Sequence, residues 1–217
     1  MKRIFFLLLI PVFLFGSCIT ISETYTIRKD GSGKMEYKID MSELYQMIRT
    51  FSDTTDVSQL DMGEVFETIL PDLNEMEGIQ HAKITGEADR YIYGVSFEFN
   101  NPEALNRALG LLMEDDPKSE TRFVEMKKRK FIRHHATSDE FSREAIMGEE
   151  LEVDESMMEE ILSGMKYQIS LNFEGKVKKV DTKAEYIKVD DRTINLEAGF
   201  DQMLDDSEFL KTTVTTR

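Results

Sequence analysis

The sequence has 217 residues, of which 41% are hydrophobic and 32% charged, and its formal net charge is −15. Such a charge opposes nonspecific binding to nucleic acid, because the field around the protein repels phosphate. A single cysteine excludes a disulfide scaffold, so packing must hold the fold together.

The N-terminus has the pattern of an export signal. Two basic residues precede an unbroken apolar run of twelve residues, 4–15, which two small residues and Cys18 follow. The run is shorter than the about 20 residues that a helix needs to cross a bilayer. We therefore expect residues 1–17 to be removed as a signal peptide and residues 18–217 to form one domain.

The segment "LFGSC", residues 14–18, resembles the lipobox of bacterial lipoprotein signals. The resemblance implies that the Cys18 thiol receives a diacylglyceryl group, that the chain is cut before it, and that the new amino terminus is often acylated. Phe15 departs from the family, which prefers Leu there. Two or more acyl chains give stable anchoring, so lipidated Cys18 would anchor the protein by itself. The alternative is ordinary cleavage near Gly16 or Ser17, which leaves Cys18 as an incidental thiol.

After Cys18 the chain enters structure almost directly. Apolar residues alternate on both sides of "KDGSGK", which predicts a β-hairpin over residues 19–39. A capping-box pattern at Asp40 and Glu43 then begins a helix, and "SDTTDVSQ" is a loop. A second amphipathic helix runs from Met62 to Met76, with a kink or break at Pro71 and an end at Gly78.

The rest of the chain alternates between strands and short helices. We predict strands over residues 79–85 and 91–99, a helix beginning at Asn101-Pro102, and a hairpin with a basic turn over 121–136. Short helices over 138–147 and around 158–165 follow, and the remainder is mostly strand. The predicted class is α+β: a single domain with a mainly antiparallel sheet of several hairpins and amphipathic helices on one face.

The sequence holds little that indicates a reaction. "KDGSGK" lacks the spacing of a P-loop, and no Gly-x-Ser-x-Gly elbow is present. His134 and His135 are adjacent in a predicted strand and point to opposite faces, so with His81 they make a poor metal site. Acidic pairs such as Asp190-Asp191 are better interpreted as solvated turns than as acid–base machinery. We expect no catalytic residue, no metal and no cofactor.

One basic island stands out in this acidic chain. It comprises Lys127, Lys128, Arg129, Lys130 and Arg133, and it could contact anionic headgroups or an acidic partner over a Debye length. The alternative is a solvated hairpin tip. Thirteen methionines are a further feature; they could line a ligand cavity, although core packing explains them as well.

Two segments carry a family resemblance. "TYTIRKDGSGKMEYKIDMS" after the cysteine and "YQISLNFEGKVKKVDTKAEYIKVDDRTINLEAG" near the end are similar to bacterial envelope lipoproteins of the LppM-like kind, while residues 100–165 are not covered. The resemblance implies a membrane-tethered α+β domain with a lipid-binding-like shape. It supplies no catalytic residue.

These observations favour a non-enzymatic lipoprotein that binds an apolar or lipid ligand or an envelope protein. The alternative is a structural or assembly subunit that docks through a sheet edge or the basic 127–130 hairpin; an enzyme is the least favoured class. Ile19 and Thr20 follow the cysteine where retention systems use Asp, so the lipoprotein resemblance implies an outer-membrane protein that faces the periplasm.

Overall fold

The computed structural model describes residues 18–51, 62–113, 122–134, 162–206 and 208–217. The helices are α1 (Ser42–Phe51), α2 (Gly63–Glu75), α3 (Pro102–Leu112) and α4 (Phe200–Asp205). The first strands are β1 (Thr20–Ile27), β2 (Gly33–Asp40), β3 (Ile79–Glu87), β4 (Ile92–Phe99), β5 (Val124–Lys127) and β6 (Lys130–Arg133). The last are β7 (Lys166–Phe173), β8 (Val177–Thr182), β9 (Glu185–Lys188), β10 (Thr193–Gly199) and β11 (Thr212–Thr216).

A seven-stranded sheet forms the body of the protein, in the order β3-β4-β2-β1-β7-β10-β9. Neighbours pair antiparallel except β1 and β7, which run parallel. Ile27 at the end of β1 lies opposite both Gly33 and Phe173. The turns after β1 and after β7 therefore lie at the same end of the sheet.

A second sheet of four antiparallel strands has the order β5-β6-β11-β8. It packs on the larger sheet through aromatic contacts: the Phe131 ring lies 6.1 Å from the Tyr25 ring and 5.8 Å from the Phe173 ring, centroid to centroid. The second sheet thus covers the middle of the first.

Helix α2 lies on the same inner face. Tyr37 pairs with Glu23 across β1 and β2, and its ring lies 6.3 Å from Phe66 of α2. Alternate residues of β1 are buried on this side, whereas Ser22 and Thr24 point to the outer, polar face. The single-sided burial explains the alternating sequence pattern.

The predicted α+β class is confirmed, as are the hairpin of β1 and β2, the strands β3 and β4, and the basic hairpin of β5 and β6. Asn101 caps α3, since its side chain accepts a hydrogen bond from the Ala104 amide at 2.8 Å. Three details differ from expectation: a second sheet, the parallel pair at β1, and the additional helix α4.

Pro71 neither ends nor interrupts α2, which continues to Glu75. The predicted loop "SDTTDVSQ", the short helix over 138–147 and residues 1–17 lie outside the described residues, as does most of the helix expected around 158–165, of which residues 162–164 are helical.

Candidate functional site

A buried ion pair joins the two sheets. Glu23 lies on the inner face of β1, and its carboxylate accepts hydrogen bonds from Arg133 of β6, at 3.1 Å from Nε and 2.5 Å from Nη2. The hydroxyl of Tyr25 donates to the same carboxylate at 2.6 Å, and that of Tyr167 donates to it as well. Every lone pair of the carboxylate that faces the interior is therefore engaged by a donor.

The charge of Arg133 decides the protonation state of this cluster. Burial alone would raise the pKa of Glu23, but the nearby guanidinium and the hydrogen bonds from Arg133, Tyr167 and Tyr25 outweigh it and lower that pKa. Burial and the charge of Glu23 raise the pKa of both tyrosines well above the usual range. Glu23 is thus ionised at neutral pH, and the cluster is a hydrogen-bonded bridge without net charge.

An open cleft lies beyond this bridge, where the two sheets end. Its volume is about 270 Å³. Its floor is apolar and consists of Ile27, Met126, Phe131 and Phe173. Three of these four side chains are buried, and Met126 is half-buried, so the apolar floor is set into the end of the core.

Basic residues surround the cleft. They come from the turn after β1, the turn between β5 and β6, and the end of the chain: Arg28, Lys29, Lys128, Arg129, Lys130 and Arg217, all exposed. Two acidic residues lie in the same turns: Asp30, whose pKa is lowered by hydrogen bonds from Ser32 and also by the charge of Arg28, and Glu174, whose carboxylate accepts a hydrogen bond from the Lys29 amide at 2.9 Å. Within the described ranges, no side chain of Lys128, Arg129 or Lys130 forms an ion pair. The six cations of the rim outnumber these two acids, so the rim carries a net positive charge.

The backbone of this rim is fixed. Thr216 donates from its amide to the Arg129 carbonyl at 2.8 Å, and the Arg217 amide donates to the Lys176 carbonyl at 2.9 Å. Lys128 has a φ of 57°, in the left-handed region that costs a lysine about 1 kcal/mol. A positive φ at this position is what the two-residue turn between β5 and β6 requires.

Of the five basic residues that the sequence predicted as a contact surface, three lie together in the structure and two do not. Lys128, Arg129 and Lys130 line the cleft together. Lys127 is turned toward Glu125, with 2.6 Å between Nζ and Oε2. Arg133 is only 3% exposed and belongs to the bridge with Glu23, so it is not part of the basic rim. Arg28, Lys29 and Arg217 join the rim although the sequence analysis did not single them out, because sequence position does not show that these turns meet.

Cys18 lies at the opposite end of β1 and is half-buried. Its amide donates to the Gly164 carbonyl at 3.2 Å, and its carbonyl accepts from the Leu44 amide at 3.1 Å. A Cβ atom on Gly164 would lie 3.0 Å from the Cys18 sulfur, so the glycine makes room for this side chain. The cysteine is thus built into the end of the sheet.

A second concave surface of about 410 Å³ lies on the outer face of the large sheet, beside its edge strand β9. Its lining is mostly polar and includes Glu185 and Glu197. Next to it, Tyr186, Ile187 and Val189 are 48%, 71% and 57% exposed. Tyr186 and Ile187 also line the concave surface, and this edge is the apolar surface to which the sheet-edge docking hypothesis applies.

The other candidates from the sequence are dispersed. His81 lies 3.7 Å from Glu98 and His134 lies 3.1 Å from Glu125, while His135 is outside the described residues. In the part of the chain that the structure describes, no three metal-binding side chains converge. Met41, Met113 and Met165 are core residues, and among the described methionines only Met126 lines the basic cleft.

The described residues contain no helix with the length and apolarity that a membrane span requires. No family model and no curated protein matches the sequence. The fold is similar to that of the folded domain of the LppM protein of Mycobacterium tuberculosis, known from an NMR structure. The TM-score is 0.48 and the sequence identity 9%, and the match covers 93% of this chain and 91% of that chain.

Proposed function

We propose that this protein is a lipid-anchored, non-enzymatic envelope protein that binds the anionic headgroup of a lipid in the basic cleft between its two sheets. The observation that supports it is the cleft itself: an apolar floor at Phe131 and Phe173 beneath a rim of net positive charge. This is the combination that a molecule with a negative headgroup and an apolar portion requires.

The rim acts locally in spite of the net charge. The formal charge of the whole chain is −15, yet at physiological salt charges interact over about 8 Å only. Six cations from three neighbouring segments outnumber the two acids of the same turns, Asp30 and Glu174, so the cleft is positive over this distance. Each lysine or arginine near an anionic lipid surface contributes about 1 kcal/mol to binding.

The size of the cleft indicates how much of a lipid it takes. About 270 Å³ is slightly below the range of about 300–1,000 Å³ that is usual for small-molecule sites. Two acyl chains do not fit in this space. The cleft therefore suits a headgroup and the first part of a chain while the lipid stays in its bilayer.

The proposed membrane anchor is a diacylglyceryl group on Cys18, with residues 1–17 removed. Its support is the order of basic, apolar and small residues before this cysteine and the direct entry of the chain into β1. An envelope location follows from the anchor, and an outer-membrane protein facing the periplasm is the most specific form of the proposal.

A second function is favoured by the exposed edge strand β9. Ile187 is 71% exposed, and the outer edge of β9 has no neighbouring strand in either described sheet. A partner protein could add a strand there. In this alternative the protein is an assembly subunit, and the basic cleft is not needed for its function.

Binding of a soluble short-chain lipid tests the proposal. The chain from Cys18 onward contains every described residue, and calorimetry would compare its binding of dihexanoyl phosphatidylglycerol with that of dihexanoyl phosphatidylcholine. We expect binding of the anionic lipid only, with a decrease at high salt. The variant Lys128→Glu/Arg129→Glu/Lys130→Glu should lose it.

The matched control reverses three exposed cations outside the cleft, Arg49→Glu/Lys83→Glu/Arg122→Glu, and should bind like the wild type. Circular dichroism would verify that both variants fold. Equal binding by wild type and the cleft variant, or no binding by either, would contradict the proposed function.

A further inference from the structure

Cys18 and the basic cleft lie at opposite ends of strand β1. Cys18 precedes the strand by two residues, and Ile27, its last residue, lines the basic cleft. Eight residues at about 3.3 Å each place the cleft about 23 Å from the first residue of the strand. The proposed anchor and the proposed binding site thus lie at opposite ends of the central strand.

Nothing flexible separates the anchor from the sheet. Both backbone polar groups of Cys18 are bonded to the fold, and the next carbonyl, of Ile19, accepts from the Lys166 amide at 2.9 Å. A flexible linker of glycine and serine would let a domain turn freely on its lipid, and this chain has none after Cys18. The end of the sheet that carries Cys18 is therefore held at the membrane surface.

The cleft in turn lies outside the reach of that surface. All three segments that form the rim belong to the far end: the turn after β1, the turn between β5 and β6, and the end of β11. Their distance from Cys18 exceeds the screening length of about 8 Å more than twofold. A domain that stands on Cys18 presents its cations away from the lipids that hold it.

We propose, on the basis of the proposed function, that the cleft binds anionic headgroups of a second membrane that faces the anchoring one, so that the protein connects two lipid surfaces. The small volume of the cleft agrees with this, because a headgroup can be held while its lipid stays in place. The fixed backbone of the rim presents the cations as a rigid end surface.

Vesicle capture tests the proposal directly. Cys18 is the only cysteine, so its thiol can be coupled to a maleimide lipid in dense vesicles of phosphatidylcholine. Fluorescent target vesicles that contain phosphatidylglycerol are then added, and the fluorescence that sediments with the dense vesicles is measured. We expect capture of these targets and none of phosphatidylcholine targets.

The cleft variant Lys128→Glu/Arg129→Glu/Lys130→Glu should reduce the apparent affinity for target vesicles at least about a hundredfold, since each cation near an anionic surface is worth a factor of about five. A second variant, Arg28→Glu/Lys29→Glu, tests the same cleft from another turn if the first does not fold. Both variants should still couple to the anchoring vesicles.

In a second version of the experiment, the anchoring vesicles also contain phosphatidylglycerol. If the cleft faces away, capture of the targets continues. Loss of capture in this arm would show that the cleft binds its own membrane and would overturn the inference. Binding of soluble dihexanoyl phosphatidylglycerol without any vesicle capture would also overturn it while the proposed function stands. Failure of both assays would remove the proposed function itself.

Discussion

At the scale of single residues, Glu23 is the most constrained position in the described chain. It lies between Ile21 and Tyr25 on the apolar face of β1 and is 1% exposed. A buried carboxylate is tolerated only when it is paired and hydrogen-bonded, and Arg133 and two tyrosines meet this requirement. The two sheets are therefore joined by a contact that depends on both partners.

Glu23→Gln should destabilise the protein by about 3 kcal/mol, because it leaves the Arg133 charge buried without a counter-charge. Urea unfolding at neutral pH measures this loss. A variant that replaces the whole cluster by apolar groups, Glu23→Leu/Arg133→Met/Tyr25→Phe/Tyr167→Phe, leaves neither a buried charge nor a hydroxyl without an acceptor and should recover most of the stability. A Glu23→Gln variant as stable as the wild type would show that the pair is dispensable.

The cluster around Glu23 also predicts that the free energy of unfolding depends on pH. The pKa of Glu23 is lower in the folded state than the usual value of about 4.3, so its contribution is complete above that value and decreases as the pH falls through the folded-state pKa. The difference in the free energy of unfolding between the wild type and Glu23→Gln should therefore become smaller as the pH is lowered. Urea titrations at a series of pH values check this, and a constant difference would contradict it.

Lys128 offers a test in which stability and binding move in opposite directions. Glycine adopts a φ of 57° without strain, so Lys128→Gly should be neutral or stabilising by about 1 kcal/mol. The same change removes one cation from the cleft and should weaken binding of an anionic surface about fivefold. Thermal unfolding and lipid titration of one variant measure both effects. A parallel change of both quantities would assign Lys128 a structural role only.

The sequence predicted part of the site at this scale. The run 127–130 was visible because four cations are adjacent, and three of them line the cleft. The partnership of Glu23 and Arg133 was not predicted, since 110 residues separate them. A signal was nevertheless present: a glutamate at a position where strand alternation requires an apolar residue demands a buried partner.

At the scale of elements, hairpins and helices followed from local patterns. Alternation and turn residues predicted β1 with β2 and β5 with β6, and the helical period predicted α1 to α3. Alternation shows which face of a strand is buried but not which strand lies beside it. For this reason neither the second sheet nor the parallel neighbour of β1 was predicted.

Pro71 lowers the stability of helix α2, and a substitution can restore it. This exposed proline lies inside the helix and cannot donate the hydrogen bond that another residue would make. Pro71→Ala should raise the stability by about 1–3 kcal/mol. Differential scanning calorimetry measures the change, and Asp72→Ala, at the neighbouring exposed position, is the control. An unchanged or lower melting temperature would show that the packing of α2 depends on the proline.

At the scale of the whole molecule, the anchor and the cleft are separate and can be removed independently. Cys18→Ala should transfer the protein from the membrane fraction to the soluble fraction and abolish incorporation of labelled fatty acid. The cleft variant at 128–130 should keep both. Intact mass of the native protein completes the test, since a chain that starts at Cys18 without added acyl mass would contradict the anchor.

The position of β1 has a consequence for the order of folding. This strand is among the first described residues to leave the ribosome or a translocation channel, yet one of its two neighbours, β7, begins only at Lys166. Until β7 is synthesised, the half of the sheet formed by β3, β4, β2 and β1 has β1 as an unpaired edge, and closing so long a loop is slow. The nascent protein therefore exposes an open β edge for most of its synthesis, which is the interval in which a chaperone would be needed to prevent aggregation.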